Sequence, residues 1–169
     1  VVNSLFGDGA AAALIRQDEW DTSEEGPVVA DFESYVIPET LSEMRYTTDD
    51  SKLSFVLGRD IPYAIGANVD KPVDQLLKRH GLKRKDIDQW VVHSGGKKVI
   101  DGIEYNIGLT AHDMRHTLSV LRDCGNISSA SILFSYQRLC REGKVKKGDI
   151  GVAIAMGPGA CIEVALLVW

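Results

Sequence analysis

The feature that most constrains this chain is a short apolar strand with an abrupt end. Trp90-Val91-Val92-His93 runs directly into Ser94-Gly95-Gly96, so His93 is expected to project from the carboxyl edge of a sheet, where open α/β sheets place their sites. Further on, Asn126 follows Gly125 between two helical patterns. Its side chain is expected at the positive end of the helix that follows. Two neutral donors would then converge on one oxygen, the arrangement that stabilises an oxyanion. Histidines at strand ends and asparagines at helix starts also have purely structural uses, so the surrounding pattern has to decide between the two roles.

That pattern alternates strands with helices, which places the chain in the α/β class. Ala10 to Ile15, after the turn Leu5-Phe6-Gly7-Asp8-Gly9, fits a strand buried on both faces. Asp8 reads as a turn or cap residue, and the incomplete glycine pattern excludes a dinucleotide fingerprint. Residues 17 to 26 form an acidic loop, Val28 to Ile37 a strand ended by Pro38, Glu39 to Asp50 a loop, and Leu53 to Leu57 a short strand. A helix begins at Pro62 and carries Ile65, Val69, Val73, Leu76 and Leu77 on one stripe, interrupted by Pro72 and ended at His80-Gly81. Lys83, Arg84 and Lys85 read as solvent-facing. Ser94 or Gly95 should cap a helix burying Val99, Ile100, Ile103 and Ile107, and Thr110 or Asp113 should start another with Met114, Leu118 and Leu121 inside. A long helix is expected over Ile127 to Arg141, and Ile150 to Met156 and Ala160 to Trp169 should form a hairpin around Gly157-Pro158-Gly159.

Composition bounds the function. With 169 residues, 44% hydrophobic and 25% charged, the chain is one domain with room for a core. A net charge of −5 and a pI near 5.3, with Lys and Arg scattered, argue against nucleic acid as a partner. Cys124, Cys140 and Cys161 form no CxxC pair and leave an odd count, which suits small buried thiols in a reducing, cytoplasmic setting and no metal site. His112 and His116 have the spacing of a metal pair but lack the intervening glutamate and a third ligand, so they read as surface or rim residues. No apolar run is long enough to span a membrane. The start at Val1-Val2-Asn3, apolar from the outset, reads as the continuation of something longer.

Taken together, Leu5-Phe6-Gly7-Asp8-Gly9-Ala10, His93-Ser94-Gly95-Gly96, Gly125-Asn126-Ile127-Ser128-Ser129-Ala130 and Met156-Gly157-Pro158-Gly159 resemble the C-terminal half of type III polyketide synthases. These are the chalcone-synthase-like branch of the thiolase superfamily, and the resemblance covers residues 1–169 in order and spacing. It implies a layered thiolase-like α/β fold with a mixed sheet between helices, a homodimer, and acyl transfer from coenzyme A thioesters without a cofactor. His93-Ser94-Gly95-Gly96-Lys97-Lys98-Val99-Ile100-Asp101 and Met156 look closest to the bacterial branch that builds 3,5-dihydroxyphenylacetyl-CoA from malonyl-CoA alone. Plant-type members carry proline and phenylalanine where Ser94 and Met156 stand, so no large aromatic starter is implied.

By that resemblance His93 and Asn126 are catalytic, holding the thioester oxygen of an enolate or tetrahedral intermediate while His93 also pairs with a nucleophilic cysteine. Phe6 and Phe55 match gatekeeping phenylalanines. Ser128, Met156, Gly157, Pro158 and Gly159 would line the substrate cavity, with the backbone at Leu57, Gly96 and Lys98 near the coenzyme A arm. The nucleophile belongs to the family's N-terminal half, and none of the three cysteines here matches it; Cys124 reads as packed at a helix end. Two other readings compete: a ketoacyl-ACP synthase III, which shares the histidine, the Gly-Asn pair and the Arg141-Glu142-Gly143-Lys144 tail, and a catalytically silent thiolase-like subunit.

Overall fold

A computed structural model describes residues 2–16, 26–49 and 51–169. The elements are α1 (Val2–Leu5), β1 (Val28–Val36), β2 (Met44–Asp49), β3 (Lys52–Leu57), α2 (Ile61–Gly66), α3 (Asp70–Arg79), β4 (Gln89–Val92), α4 (Lys97–Ile107), α5 (Arg115–Cys124), α6 (Ala130–Glu142), β5 (Ile150–Gly157) and β6 (Cys161–Val168). Four strands make a mixed sheet in the order β1-β6-β5-β4, with β4 parallel to β5 and the other pairs antiparallel; β2 and β3 form a separate hairpin.

The period-2 pattern of the strands decides where the helices sit. Trp90, Val92, Val152, Ile154, Ile162, Val164 and Leu166 share one face and join Ile61, Ile65, Val73, Leu76, Leu77, Ile100 and Ile103 of α2, α3 and α4 in one core. Val91, on the other face, is buried where α5 and α6 pack against β4. Over β1 this second face is open, and Phe32 is 70% exposed. Helices α2 and α4 approach closely because Gly66 and Gly102 meet at the crossing: a Cβ on Gly102 would lie 3.3 Å from the Pro62 carbonyl oxygen. That contact fixes α4, whose first turn follows the His93 strand end.

Several expectations are corrected. Ala10 to Ile15 is not a buried strand: the segment has no regular structure, and Leu14 and Ile15 are exposed. A strand needs a ladder partner for its N–H and C=O groups, and among the described residues none pairs with it. The loop expected over Glu39 to Asp50 instead contains β2, whose Tyr46 pairs with Phe55 across the hairpin. The helix from Pro62 is broken earlier than expected, at residues 67–69, where the Asn68 amide donates to the Ala64 carbonyl. Pro72 then falls in the first turn of α3, where a missing N–H costs nothing, so it starts a helix rather than interrupting one.

Arg84 is not a free surface cation. Its guanidinium pairs with both Asp74 carboxylate oxygens and donates to the carbonyls of Asn106 and Ile107, closing the end of α4. The α4 N-cap is Gly96, at φ +136°, not Ser94 or Gly95. The Thr110 N–H and hydroxyl both donate to the Asp113 carboxylate, so His112 lies in the turn before α5 and only His116 is on the helix. The cysteines are not buried: Cys140 is exposed, and Cys124 and Cys161 are half-buried. The acidic loop lies outside the described residues apart from Gly26.

Candidate active site

His93 follows the last residue of β4, and its N–H donates to the Ile154 carbonyl of β5 at 2.9 Å. Its side chain is buried, and the ring makes no hydrogen bond to the described residues. Burial without a charged partner pushes its pKa down to about 4. At neutral pH the ring is therefore uncharged, with one N–H donor and one bare nitrogen. Gly95 lets the ring and a thioether close in, since a Cβ there would lie 3.3 Å from His93 Cδ2 and 3.5 Å from Met156 Sδ.

Asn126 is held by its backbone as well as its side chain. Its N–H donates to the Leu5 carbonyl and its own carbonyl accepts from the Gly7 N–H, both at 3.0 Å, a parallel bridge centred on Phe6. The side-chain Oδ1 accepts the Ser128 N–H at 2.9 Å, and Nδ2 donates to the Gly95 carbonyl at 3.2 Å. The expected helix cap is thereby corrected: Asn126 makes an Asx turn, Ser128 adopts φ +56°, and α6 begins only at Ala130, behind Ser129. The second N–H of the Asn126 amide has no partner among the described residues.

Gly95 joins the pair, because its N–H donates to the His93 carbonyl while its carbonyl receives Asn126. A second stitch, absent from the sequence reading, is the buried Ser94 hydroxyl, which donates to the Gly125 carbonyl at 3.5 Å. The arrangement presents two uncharged N–H donors without a compensating anion. Such a pair favours an oxygen that gains negative charge during reaction over the neutral carbonyl it came from.

Phe6 and Phe55 meet edge to face, with ring centroids 6.1 Å apart. Tyr46, which the sequence reading missed, continues the row at 4.9 Å from Phe55. The β-favouring run Met44-Arg45-Tyr46-Thr47-Thr48 was the available signal. Ser128 is exposed beside Asn126. Gly157, Pro158 and Gly159 turn the chain between β5 and β6, and the Gly159 N–H donates to the Met44 carbonyl, tying this turn to the hairpin that carries Phe55. Leu57 ends β3, half-buried; Gly96 is buried before α4. Lys98 is exposed and lines an open groove of about 540 Å³ between α2 and α4, with Tyr63 and Tyr105. The lining of that groove includes neither His93 nor Asn126, so Lys98 stands apart from the pair.

The remaining titratable groups are engaged elsewhere. His116 Nε2 lies 3.1 Å from Glu142, whose carboxyl is held well below its ordinary range by Arg115 and Lys144. Among the described residues no group of three His, Cys, Asp or Glu side chains is placed to hold a metal ion, and no helix is long and apolar enough to cross a membrane. The Cys161 thiol donates to Glu163, and burial pushes its pKa up to about 11; Cys124 Sγ accepts from Arg138.

Comparison with known proteins identifies the family. Residues 30–168 match the C-terminal domain of the chalcone and stilbene synthases. The chain is 54% identical to 3,5-dihydroxyphenylacetyl-CoA synthase of Streptomyces toyocaensis and 52% identical to that of Amycolatopsis balhimycina, in each case over the whole chain but only 45% of the relative. It therefore spans less than half the length of these curated relatives. Among solved structures, 1,3,6,8-tetrahydroxynaphthalene synthase of Streptomyces coelicolor superposes with a TM-score of 0.79 at 29% identity, covering 85% of this chain and 41% of that one. The chain belongs to the type III polyketide synthases of the chalcone and stilbene synthase family, and it carries that family's C-terminal domain.

Proposed function

We propose that this domain supplies the oxyanion-binding half of a malonyl-CoA-condensing synthase, whose product is 3,5-dihydroxyphenylacetyl-CoA. The names of the relatives at 54% and 52% identity support the product class. The observation that carries the mechanism is the Asn126 amide, fixed by Ser128 and Gly95 beside a buried neutral His93 and keeping one N–H uncommitted.

In this reading a malonyl thioester loses CO2, and the electron pair of the broken C–C bond becomes an enolate whose oxygen takes hydrogen bonds from His93 and Asn126. The enolate carbon then attacks an acyl thioester on a cysteine. The new C–C bond forms, the tetrahedral oxygen is held, and the cysteine thiolate leaves. That cysteine is assigned to the N-terminal half of the whole protein, outside residues 1–169, because Cys124 and Cys161 are committed to Arg138 and Glu163 and Cys140 lies exposed on α6. The open apolar face over β1, with Val29, Phe32 and Val36 exposed, is where such a half would pack. The homodimer and the coenzyme A contacts at Leu57, Gly96 and Lys98 belong to the same proposal, as do the cavity walls at Phe6, Phe55, Ser128, Met156, Gly157, Pro158 and Gly159.

The test is mass spectrometry of the whole protein after incubation with malonyl-CoA, followed by peptide mapping. An acyl adduct on a cysteine outside residues 1–169, together with release of free coenzyme A, is expected. An adduct on Cys124, or turnover with no adduct anywhere, would overturn the assignment.

A further inference from the structure

The peptide unit joining Val92 to His93 is held from both sides. Its N–H points into the sheet and donates to Ile154 of β5. Its carbonyl therefore points outward, and β4 is the last strand of the described sheet on that side. Instead of a ladder partner, the carbonyl receives the Thr117 hydroxyl of α5 at 2.8 Å; the Ser135 hydroxyl of α6 lies 3.4 Å away but has a nearer acceptor in the Ser131 carbonyl at 3.2 Å. Both side chains are fully buried.

These two hydroxyls are not placed at random in the fold. Thr117 sits on the helix that leads into the Asn126 turn, and Ser135 on the helix that leaves it. The same α5–turn–α6 unit that presents the Asn126 amide thus also grips the backbone at the root of the His93 side chain. Further out, Ser94 and Gly95 are joined to Gly125 and Asn126. An oxyanion site works only when its donors are held to within about half an ångström of the required geometry. A hydroxyl that locks the strand end to the helix carrying the other donor sets that separation.

We infer that Thr117 is a positioning residue for His93: its buried hydroxyl ties the Val92–His93 peptide to the α5–α6 unit and so fixes the distance between the two oxyanion donors. The inference rests on the proposed roles of His93 and Asn126. Thr117 itself touches no reacting atom.

The test compares Thr117→Val, Thr117→Ser and His93→Ala in the whole protein, reading malonyl-CoA decarboxylation and the His93 ring signals by ¹⁵N NMR. Thr117→Val keeps the shape and loses the donor. It is expected to lower kcat by about tenfold, the scale of a small displacement of a catalytic group, with KM within about twofold and with shifted His93 signals. Thr117→Ser should restore both. If Thr117→Val does not fold, Thr117→Cys, whose thiol is a weaker donor, should produce the same kcat-selective loss at smaller amplitude. A folded Thr117→Val protein with kcat within twofold and unmoved His93 signals overturns the inference. Full turnover in His93→Ala overturns the proposed function instead, and the NMR signature then decides the positioning role by itself.

Discussion

Replacing Asn126 by alanine and by aspartate separates a catalytic amide from a merely structural one. Alanine removes two hydrogen bonds, from the Ser128 N–H to Oδ1 and from Nδ2 to the Gly95 carbonyl. Ser128 is exposed and its N–H can turn to water, whereas the Gly95 carbonyl is half-buried, so the structural cost is about 1–2 kcal/mol. The turn itself should survive, since the backbone of Asn126 remains bonded to Leu5 and Gly7 at 3.0 Å. The catalytic cost is larger: loss of one oxyanion donor is worth about 3–4 kcal/mol, or about 10²–10³ in kcat. Aspartate keeps the acceptor for Ser128 but sets a carboxylate against the Gly95 carbonyl and against the forming oxyanion. The expected order of decarboxylation rates is therefore Asn above Ala above Asp, although Asp retains more of the turn's hydrogen bonding than Ala does. Coenzyme A release, followed with a thiol reagent beside thermal melts of each variant, measures both costs. If Asn126→Asp matches the wild type, or exceeds Asn126→Ala, the amide only shapes the turn and the oxyanion argument fails.

Two further outcomes follow from the same site. The His93 pKa is lowered to about 4 in the folded state against about 6.5 in an unfolded chain. Between those values the unfolded state binds a proton that the native state does not, so stability falls as pH drops from about 6.5 to 4, by about 3 kcal/mol from this group. His93→Gln should flatten that part of the pH dependence of Tm, and an unchanged slope between wild type and variant would mean that His93 titrates normally. Phe55→Ala opens the aromatic row between Phe6 and Tyr46. It should change the product profile seen by mass spectrometry more than the decarboxylation rate, whereas an unaltered profile would mean that Phe55 only packs.

The parts of this fold that were legible in the sequence are those whose partners lie within one periodic pattern. The stripe Ile65, Val69, Val73, Leu76 and Leu77 is buried, as are Val99, Ile100, Ile103 and Ile107 on α4. The glycine-marked positions of His93 at a strand end and Asn126 at a turn were also legible. What escaped depends on contacts between distant segments. Arg84 reads as one of three surface cations until Asp74 and the end of α4 are brought beside it. Asn126 reads as a cap until Ser128 is seen at positive φ, which delays the helix. Thr117 is one threonine on an amphipathic helix, and nothing in its neighbours announces the Val92 carbonyl. Ala10 to Ile15 shows the opposite failure, an apolar pattern that promises a strand with which no described strand pairs.

The strand order carries a consequence for how the protein is made. β1 is synthesised well before its ladder partner β6, and Val28 waits for Val168. At elongation rates of about 5–20 residues per second, that interval is on the order of ten seconds. Throughout it, the N–H and C=O groups that β1 pairs with β6 lack that ladder partner. The high contact order makes closure of the sheet slow once synthesis is complete. Growth temperature and chaperone supply should therefore govern the yield of this domain more strongly than its final stability does.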